Sequence, residues 1–299
     1  MRILIALLLF PALLQAQKVP VKEHFLSNGM KVLLVERHDS PSVSGGWVAR
    51  VGSANERPGI TGMAHLFEHM MFKGTPTIGT KDYKKDLEII NEQERVRELM
   101  RQEDRKLRDM WRRGKITDLR DPKQKTPRWK KLHEEFKKLE AAQAKILVKN
   151  EFDRIYTSNG GSSMNAYTSN DHTAYFITVP ANKLELFMWM ESGRILNPVF
   201  REFYTERKVV FEERRMRTES TPLGKFYESF NSLFWESHPY GWPVLGWPSD
   251  ITAISKTQAD AFYAAYYAPQ NLTLILIGDF KSKQALSQAE KYFGRIPKG

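Results

Sequence analysis

Apolar positions along the chain predict four β-strands and at least six helices. Residues 31–37 and 43–51 flank a turn-rich stretch and together predict a β-hairpin. Residues 173–179 alternate between apolar and polar, and residues 272–277 form a continuous apolar run. Helical spacing of apolar residues predicts helices at 61–72, 183–196, 201–218, 223–235, 256–267 and 283–293. Strands interleaved with longer helices, without a regular strand–helix–strand repeat, predict an α+β fold, an antiparallel sheet covered by helices.

A charged segment, residues 83–150, has a pattern of its own. Residues 81–150 carry 22 Lys and Arg against 14 Asp and Glu, so +8 of the chain's net +11 lies there. Mostly apolar side chains that could pack one helix against another recur every three or four residues, at positions 132, 136, 139, 143 and 146. This predicts an inserted helical hairpin, 83–113 and 128–149. Its charge could bind an anionic partner, but acidic residues interleave with the basic ones. We therefore expect solvated helices and no nucleic-acid site.

The first 16 residues predict a secretory signal peptide. One Arg precedes a 12-residue apolar run from Ile3 to Leu14, and the small residue Ala16 offers a cleavage point. The alternative is a membrane anchor, but this run is shorter than the roughly 20 residues that span a bilayer. The chain has no Cys, which excludes disulfides and thiolate metal ligands and suits an oxidising compartment. We expect export, to the periplasm or by secretion, with no stable membrane anchor.

The stretch His65-Leu66-Phe67-Glu68-His69 carries the strongest chemical signal. On a helix, positions i, i+3 and i+4 share one face. The imidazoles of His65 and His69 can therefore close on one Zn²⁺, at about 2.0–2.1 Å each. Glu68 then lies beside the metal and not on it, which suits a general base acting on a zinc-bound water.

A zinc site of this kind needs a third protein ligand, and residues 206–213 offer candidates on a predicted helix. Glu206 and Glu213 are seven residues apart, two helical turns, so they share a face. Glu212 points about 100° away from that face. One of the aligned pair can bind the metal while the other orients a histidine.

These motifs resemble the pitrilysin/insulinase family of metallopeptidases, in particular its processing-peptidase-like branch. The inverted histidine–glutamate spacing, followed by Met71-Phe72-Lys73-Gly74-Thr75, is the most specific feature. Other stretches that match family landmarks are 161–168, 238–241, 267–272 and 278–279. The resemblance implies a zinc peptidase catalytic domain formed by residues 17–82 and 151–299, with 83–150 as an insertion.

The resemblance also implies a role for each site residue. His65, His69 and Glu213 are the expected ligands of one Zn²⁺ per catalytic domain. Glu68 is the expected catalytic base, and Glu206 the partner that orients a histidine. The implied activity is that of a zinc-dependent endopeptidase that hydrolyses peptides or small unfolded proteins.

An edge strand beside the metal is the expected substrate-binding element. In this sequence it contains Asn165, Ala166, Tyr167 and Thr168. An extended peptide can pair with the backbone of such a strand, with little demand on the identity of its side chains.

Members of this family have a second, similarly folded half that closes a chamber around the substrate, and this sequence ends where the first half ends. A partner half is therefore expected, and three alternatives stay open: a fragment, one half of a homodimer, or one subunit of a heterodimer. A rival function is a non-catalytic subunit that binds peptides for a second chain. The complete set of zinc-type residues is the feature against it.

Overall fold

A six-stranded sheet organises the chain. The computed structural model describes residues 19–299, so the expected signal peptide, residues 1–16, lies outside the described residues. The strands are β1 (Lys22–Phe25), β2 (Lys31–Glu36), β3 (Ser42–Ala49), β4 (Ser162–Thr168), β5 (Thr173–Pro180) and β6 (Leu272–Gly278). Across the sheet they lie in the order β1-β2-β6-β3-β5-β4, which makes β4 an edge strand.

The predicted hairpin of β2 and β3 is wrong, because β6 lies between these two strands. β6 is parallel to β2 and antiparallel to β3, and every other pairing in the described sheet is antiparallel. Leu274 and Leu276 of β6 are fully buried, which favours a central position for this apolar strand. The α+β prediction is confirmed, with one parallel pair in an otherwise antiparallel sheet.

Ten α-helices accompany the sheet within residues 19–299. They are α1 (Met63–Met70), α2 (Tyr83–Arg112), α3 (Pro127–Ala144), α4 (Glu151–Ser158), α5 (Leu184–Leu196), α6 (Phe203–Arg214), α7 (Pro222–Phe234), α8 (Pro248–Ala253), α9 (Lys256–Tyr266) and α10 (Ser282–Phe293). All eight predicted helices are present with shifted ends, and a π-helical turn, Arg215–Glu219, follows α6. The short elements β1, α4 and α8 escape prediction because periodicity needs more residues to show. No helix of the described chain combines the length and apolar character needed to cross a bilayer.

The main core lies between the sheet and its covering helices. Trp47 of β3 is fully buried and stacks on Tyr175 of β5, with ring centroids 4.1 Å apart. α5 packs closely on the same face, and Gly45 permits this approach, because a Cβ there would lie 2.7 Å from the ring of Phe187. On the opposite face, Phe176 is 41% exposed. α1, which carries the histidine motif, packs against β4 and β5 and thus joins the edge strand to the core.

The insert is a helical hairpin of α2 and α3 whose base belongs to the body of the domain. Leu132 and Phe136 of α3 are buried and form part of the main hydrophobic core. α3 ends at Ala144, earlier than predicted. Residues 146–148 then pair with residues 79–81, in the connection that follows α1. The return from the hairpin therefore runs next to the histidine motif.

A buried ion pair fastens the root of the hairpin. Asp86 of α2 and Arg201, just before α6, are both fully enclosed and bind each other. Nη1 of Arg201 donates to the backbone carbonyls of Lys73 and Ile78, and Nη2 donates to that of Thr75. One side chain thus connects α2, the start of α6 and the loop that follows α1.

Asp86→Ala is expected to destabilise the domain by about 3–5 kcal/mol, because it leaves the charge of Arg201 buried and unpaired. The free energy of unfolding, measured by chemical denaturation, checks this. Glu92→Ala is the matched control, since it removes an ion pair with Arg95 that lies at the surface of the same helix. Exposed pairs of this kind contribute little, so equal losses in the two variants would contradict the role assigned to Asp86.

Candidate metal centre

A buried carboxylate fixes the start of α1. Glu56 accepts hydrogen bonds from the backbone N–H groups of Gly62 (2.8 Å) and Ala64 (2.7 Å), which lack partners within the first turn of the helix. Gly62 has a φ of 89°, a left-handed conformation that favours glycine. The helix begins directly after this glycine, at Met63, and packs against α6.

The two histidines of α1 and one glutamate of α6 form a single cluster. The Nε2 atoms of His65 and His69 lie 3.5 and 3.2 Å from the same atom, Oε2 of Glu213. Ligand atoms of the three residues all lie within 4.8 Å of one another. The structure therefore brings together the three residues that the sequence predicts as metal ligands, although 143 residues separate His69 from Glu213.

The donor set fits a zinc ion. Zinc–ligand bonds of about 2.0–2.2 Å at tetrahedral angles place two ligand atoms roughly 3.3 Å apart. The separations of 3.2 and 3.5 Å lie on either side of that value. Burial lowers the pKa of His65 to about 3, so this imidazole is neutral and has a lone pair available for a metal. Three protein ligands of this kind are the set that catalytic zinc sites use.

Glu206 orients the ring of His69. Its Oε1 lies 2.9 Å from Nδ1 of His69, so that Nε2 of the same ring faces the cluster. Its Oε2 lies 2.5 Å from Nζ of Lys73. Burial opposes ionisation of Glu206, but the hydrogen bond with His69 and the charge of Lys73 outweigh it and hold the pKa of Glu206 at about 2. A carboxylate on the outer nitrogen of a ligand histidine is a common feature of zinc sites.

The second oxygen of Glu213 has a partner of its own. Nη2 of Arg217 lies 2.8 Å from Oε1 of Glu213, while Oε2 faces the histidines. Glu212 points to the outside of α6, where it pairs with Arg215. The side chain of Glu212 is 63% exposed, against 15% for Glu213. Sequence reasoning misses Arg217, because one Arg in an Arg-rich stretch carries no distinguishing signal.

Glu68 lies beside the cluster and contacts the edge strand. The hydroxyl of Thr168 donates a hydrogen bond to Oε2 of Glu68, at 2.5 Å. Burial raises the pKa of Glu68 above its ordinary value, and the hydrogen bond from Thr168 only partly offsets this. A carboxylate with a raised pKa accepts a proton more readily at neutral pH. The hydroxyl of Thr168 is a contact that the sequence does not reveal, since the resemblance implies only that the backbone of this strand binds substrate.

The edge strand β4 runs past Glu68, and only one of its two sides pairs with another described strand. β4 pairs only with β5 in the described sheet. The N–H of Ala166 donates to the side chain of Asn165, at 2.9 Å. Tyr167 is 48% exposed. The four residues predicted to bind substrate therefore all lie on an edge strand that contacts Glu68 through Thr168.

Comparison with known families defines the class of protein to which this domain belongs. The model described as insulinase (peptidase family M16) matches residues 31–95 and 137–246, more than half of the chain. A second model, described as the peptidase M16 inactive domain, matches residues 253–299. The chain belongs to the insulinase family, peptidase family M16. Residues 96–136, the outer part of the hairpin, lie outside both matches.

Relatives found by sequence are named zinc proteases. The zinc protease PqqE of Helicobacter pylori is 30% identical over 273 residues, which cover 90% of this chain and 45% of that protein. The uncharacterized zinc protease YmxG of Bacillus subtilis is 21% identical over 277 residues, 92% of this chain and 50% of that protein. The chain thus spans about half the length of these relatives.

Solved structures share the fold. A protease from Helicobacter pylori superposes with a TM-score of 0.67 at 24% identity, over 93% of this chain and 51% of that one. The first half of the periplasmic protease PqqL from Escherichia coli superposes with a TM-score of 0.62 at 20% identity, over 93% of this chain and 46% of that one. At these identities the likeness concerns the architecture of the domain.

Proposed function

We propose that this chain is the catalytic half of a zinc-dependent endopeptidase that cleaves unfolded peptides. One observation carries the proposal: His65, His69 and Glu213 meet at zinc-ligand spacing, with Glu68 and an edge strand beside them. Membership of peptidase family M16 and the names of the relatives support the same activity. One Zn²⁺ per chain would be held by the three clustered residues.

The residues of the site have complementary tasks in peptide hydrolysis. When bound, Zn²⁺ acidifies a water molecule and polarises the carbonyl under attack. Glu68 accepts the proton that the attacking water loses and then delivers it to the leaving amine. Thr168 fixes one oxygen of Glu68 throughout. Glu206 keeps the ring of His69 in the orientation that presents Nε2 to the metal.

Pairing with the edge strand defines the substrate class. A peptide that adds to β4 as a further strand must be extended, and it is held mainly through its backbone. Folded proteins rarely offer such a segment, so the proposed substrates are peptides and unfolded proteins. We further propose a second homologous domain or subunit that encloses the bound peptide. The relatives, which are about twice as long as this chain, support that part of the proposal.

We also propose that the protein is exported. The apolar leader at residues 1–16 supports this, and so does the structural likeness to a protease described as periplasmic. Mass analysis of the protein produced with its leader tests the proposal. A mature chain that begins at Gln17 is expected, whereas retention of Met1 would contradict it.

The proposed activity is tested by incubating residues 17–299 with an unstructured peptide, with and without a zinc chelator. We expect cleavage that the chelator abolishes and that added Zn²⁺ restores. Cleavage that survives full removal of metal would contradict a zinc mechanism. If the zinc-loaded chain cleaves only after a homologous second half is added, the functional unit is the assembly and this chain is a half-site subunit.

A further inference from the structure

The outer end of the inserted hairpin carries a strongly basic patch, here called the basic tip and formed by residues 105–131. These residues include 12 Lys and Arg against 3 Asp and Glu, a net charge of +9 out of +11 for the whole chain. Eleven of the 12 basic residues are exposed. The basic tip lies within residues 96–136, which neither family model matches. Membership of the family therefore does not account for this charge.

More than half of these basic groups find no acidic partner in the described chain. Ion pairs within the hairpin engage five of them, which are Arg105, Lys106, Arg113, Lys125 and Arg128. No carboxylate of residues 19–299 lies within 4.0 Å of the other seven, which are Arg108, Arg112, Lys115, Arg120, Lys123, Lys130 and Lys131. Like charges at one end of the hairpin repel each other, and an anionic surface would relieve this repulsion.

An exposed tryptophan lies among these arginines. Trp111 is 49% exposed and belongs to the last turn of α2, between Arg108 and Arg112. Positions i, i+3 and i+4 share a helix face, so the indole and the two guanidinium groups lie on the same face. By contrast, Trp129 of α3 donates its indole N–H to Asp104, at 2.9 Å. Trp129 thus stabilises the hairpin, whereas Trp111 is left at the surface.

The basic tip is held in a defined shape by its own contacts. Leu107 and Ile116 are buried, with 1% and 8% of their surface exposed. The side-chain oxygen of Gln124 accepts the N–H of Thr117, at 2.7 Å, within the connection between α2 and α3. The hydroxyl of Thr126 caps the start of α3. The basic groups are therefore presented on a folded support, so a partner does not have to bear the cost of ordering this segment.

The combination of charge and tryptophan favours a membrane surface over a nucleic acid. Anionic lipid headgroups attract clusters of Lys and Arg, and the ring of tryptophan, apolar with one polar N–H, suits the level of the headgroups. Single-stranded nucleic acids are held by several aromatic side chains that stack on successive bases. Within residues 96–136, Trp111 is the one large apolar side chain that is exposed. A basic surface with a single exposed aromatic ring therefore fits a lipid headgroup layer better.

We propose that the basic tip docks the protein reversibly on the anionic phospholipid surface of a membrane, with Trp111 among the headgroups. This inference goes beyond the proposed peptidase function and does not depend on it. Trp111 lies 25 helical residues beyond Asp86, the buried root of the hairpin, a distance of roughly 40 Å along the helix. The tip can therefore bind a surface while the root stays within the body of the domain.

Binding to lipid vesicles tests the proposal. Residues 17–299 are mixed with vesicles of phosphatidylglycerol and phosphatidylcholine in equal parts, or of phosphatidylcholine alone, and the bound fraction is measured by flotation. Wild type is expected to bind the anionic vesicles and not the neutral ones, and to bind less as added salt screens the charges. The fourfold variant Arg108→Gln, Arg112→Gln, Lys115→Gln, Arg120→Gln should bind more than about 100-fold more weakly, since each basic residue near an anionic surface contributes about fivefold.

A second fourfold variant is the matched control. It removes four exposed basic residues from the end of the chain opposite in sequence to the leader, as Lys281→Gln, Lys283→Gln, Arg295→Gln, Lys298→Gln. It lowers the net charge by the same amount and should bind the vesicles like wild type. Trp111→Ala changes no charge and should also weaken binding, because it removes the ring from the headgroup layer. An unchanged affinity in Trp111→Ala would overturn the place given to this residue.

Several outcomes would overturn the proposal. They are absence of binding to the anionic vesicles at low salt, equal binding to neutral and anionic vesicles, and equal affinities of wild type and the tip variant at equal melting temperature. Preference for duplex DNA, offered at the same phosphate concentration as the vesicles, would also overturn it and indicate a nucleic-acid partner. If the tip variant fails to fold, the double variant Arg112→Gln, Lys115→Gln takes its place. A loss of about 25-fold is then expected, and an unchanged affinity would overturn the proposal.

Discussion

Glu68→Gln is expected to lower peptide cleavage by about 10²- to 10⁴-fold, the usual contribution of a general base, while Zn²⁺ stays bound. Gln cannot accept the proton of the attacking water, but its amide oxygen can still accept the hydrogen bond from Thr168. The metal should be retained because Glu68 is not among the three residues that meet at zinc-ligand spacing. Single-turnover cleavage of an unstructured peptide, together with zinc content by atomic spectroscopy, measures both parts of the prediction.

Glu212→Gln is the matched control for this substitution. It makes the same chemical change at a carboxylate that is exposed on the far side of α6, so cleavage should stay close to that of wild type. Two outcomes would contradict the role of Glu68. Full activity in Glu68→Gln would show that Glu68 is not the base, and loss of zinc from that variant would indicate that Glu68 is a ligand.

Two kinds of sequence information predicted the candidate site: spacing along a helix gave the side chains that share a face, and the family resemblance implied that the two helices supply one metal site. His65 and His69 share a face because they are four residues apart, and Glu206 and Glu213 do so because they are seven apart. The structure places all four around one point. Local periodicity says nothing about contacts between distant segments, so the hydroxyl of Thr168 on Glu68 could not be predicted.

The prediction of the fold reached equally far. Its error has the same cause, because it concerns contacts between segments that are distant in the sequence. Helix positions and the α+β class follow from apolar periodicity, which is local. The order of the strands does not, because β6 enters the sheet between β2 and β3 from far along the chain. Turn residues between two strands predict that the chain reverses there, which it does. They cannot exclude a third strand that pairs with both.

The inserted hairpin contributes residues to the interior of the domain that carries it. Its charge pattern predicts a solvated hairpin, and the parts of α2 and α3 that lie away from the body of the domain fit that prediction. Its root does not: Asp86 reaches Arg201 in the interior, and Phe136 joins the main core. A buried ion pair between segments 115 residues apart leaves no periodic trace in the sequence. The connection between the hairpin and the candidate metal centre is therefore visible only in three dimensions.

Glu213→Ala is expected to weaken zinc binding by more than about 100-fold, whereas Glu212→Ala should leave it nearly unchanged. Loss of an outer partner of a ligand typically costs 10- to 100-fold in metal affinity, and loss of a ligand itself should exceed that. Glu213 shares Oε2 between two imidazoles that face the same point. Glu212 contacts only Arg215 at the surface. Competition with a chromophoric chelator measures the zinc affinity of both variants.

The two substitutions form a strict pair, because they remove the same side chain from neighbouring positions of one helix. Any loss of helix stability affects both, so a difference in zinc affinity reports on the face of α6 and not on its folding. Wild type and Glu212→Ala should gain thermal stability when Zn²⁺ is added, as a ligand that binds only the folded state requires. Glu213→Ala should gain little. Equal zinc affinities in the two variants would show that Glu213 is not a ligand, and the metal centre would then need a different third residue.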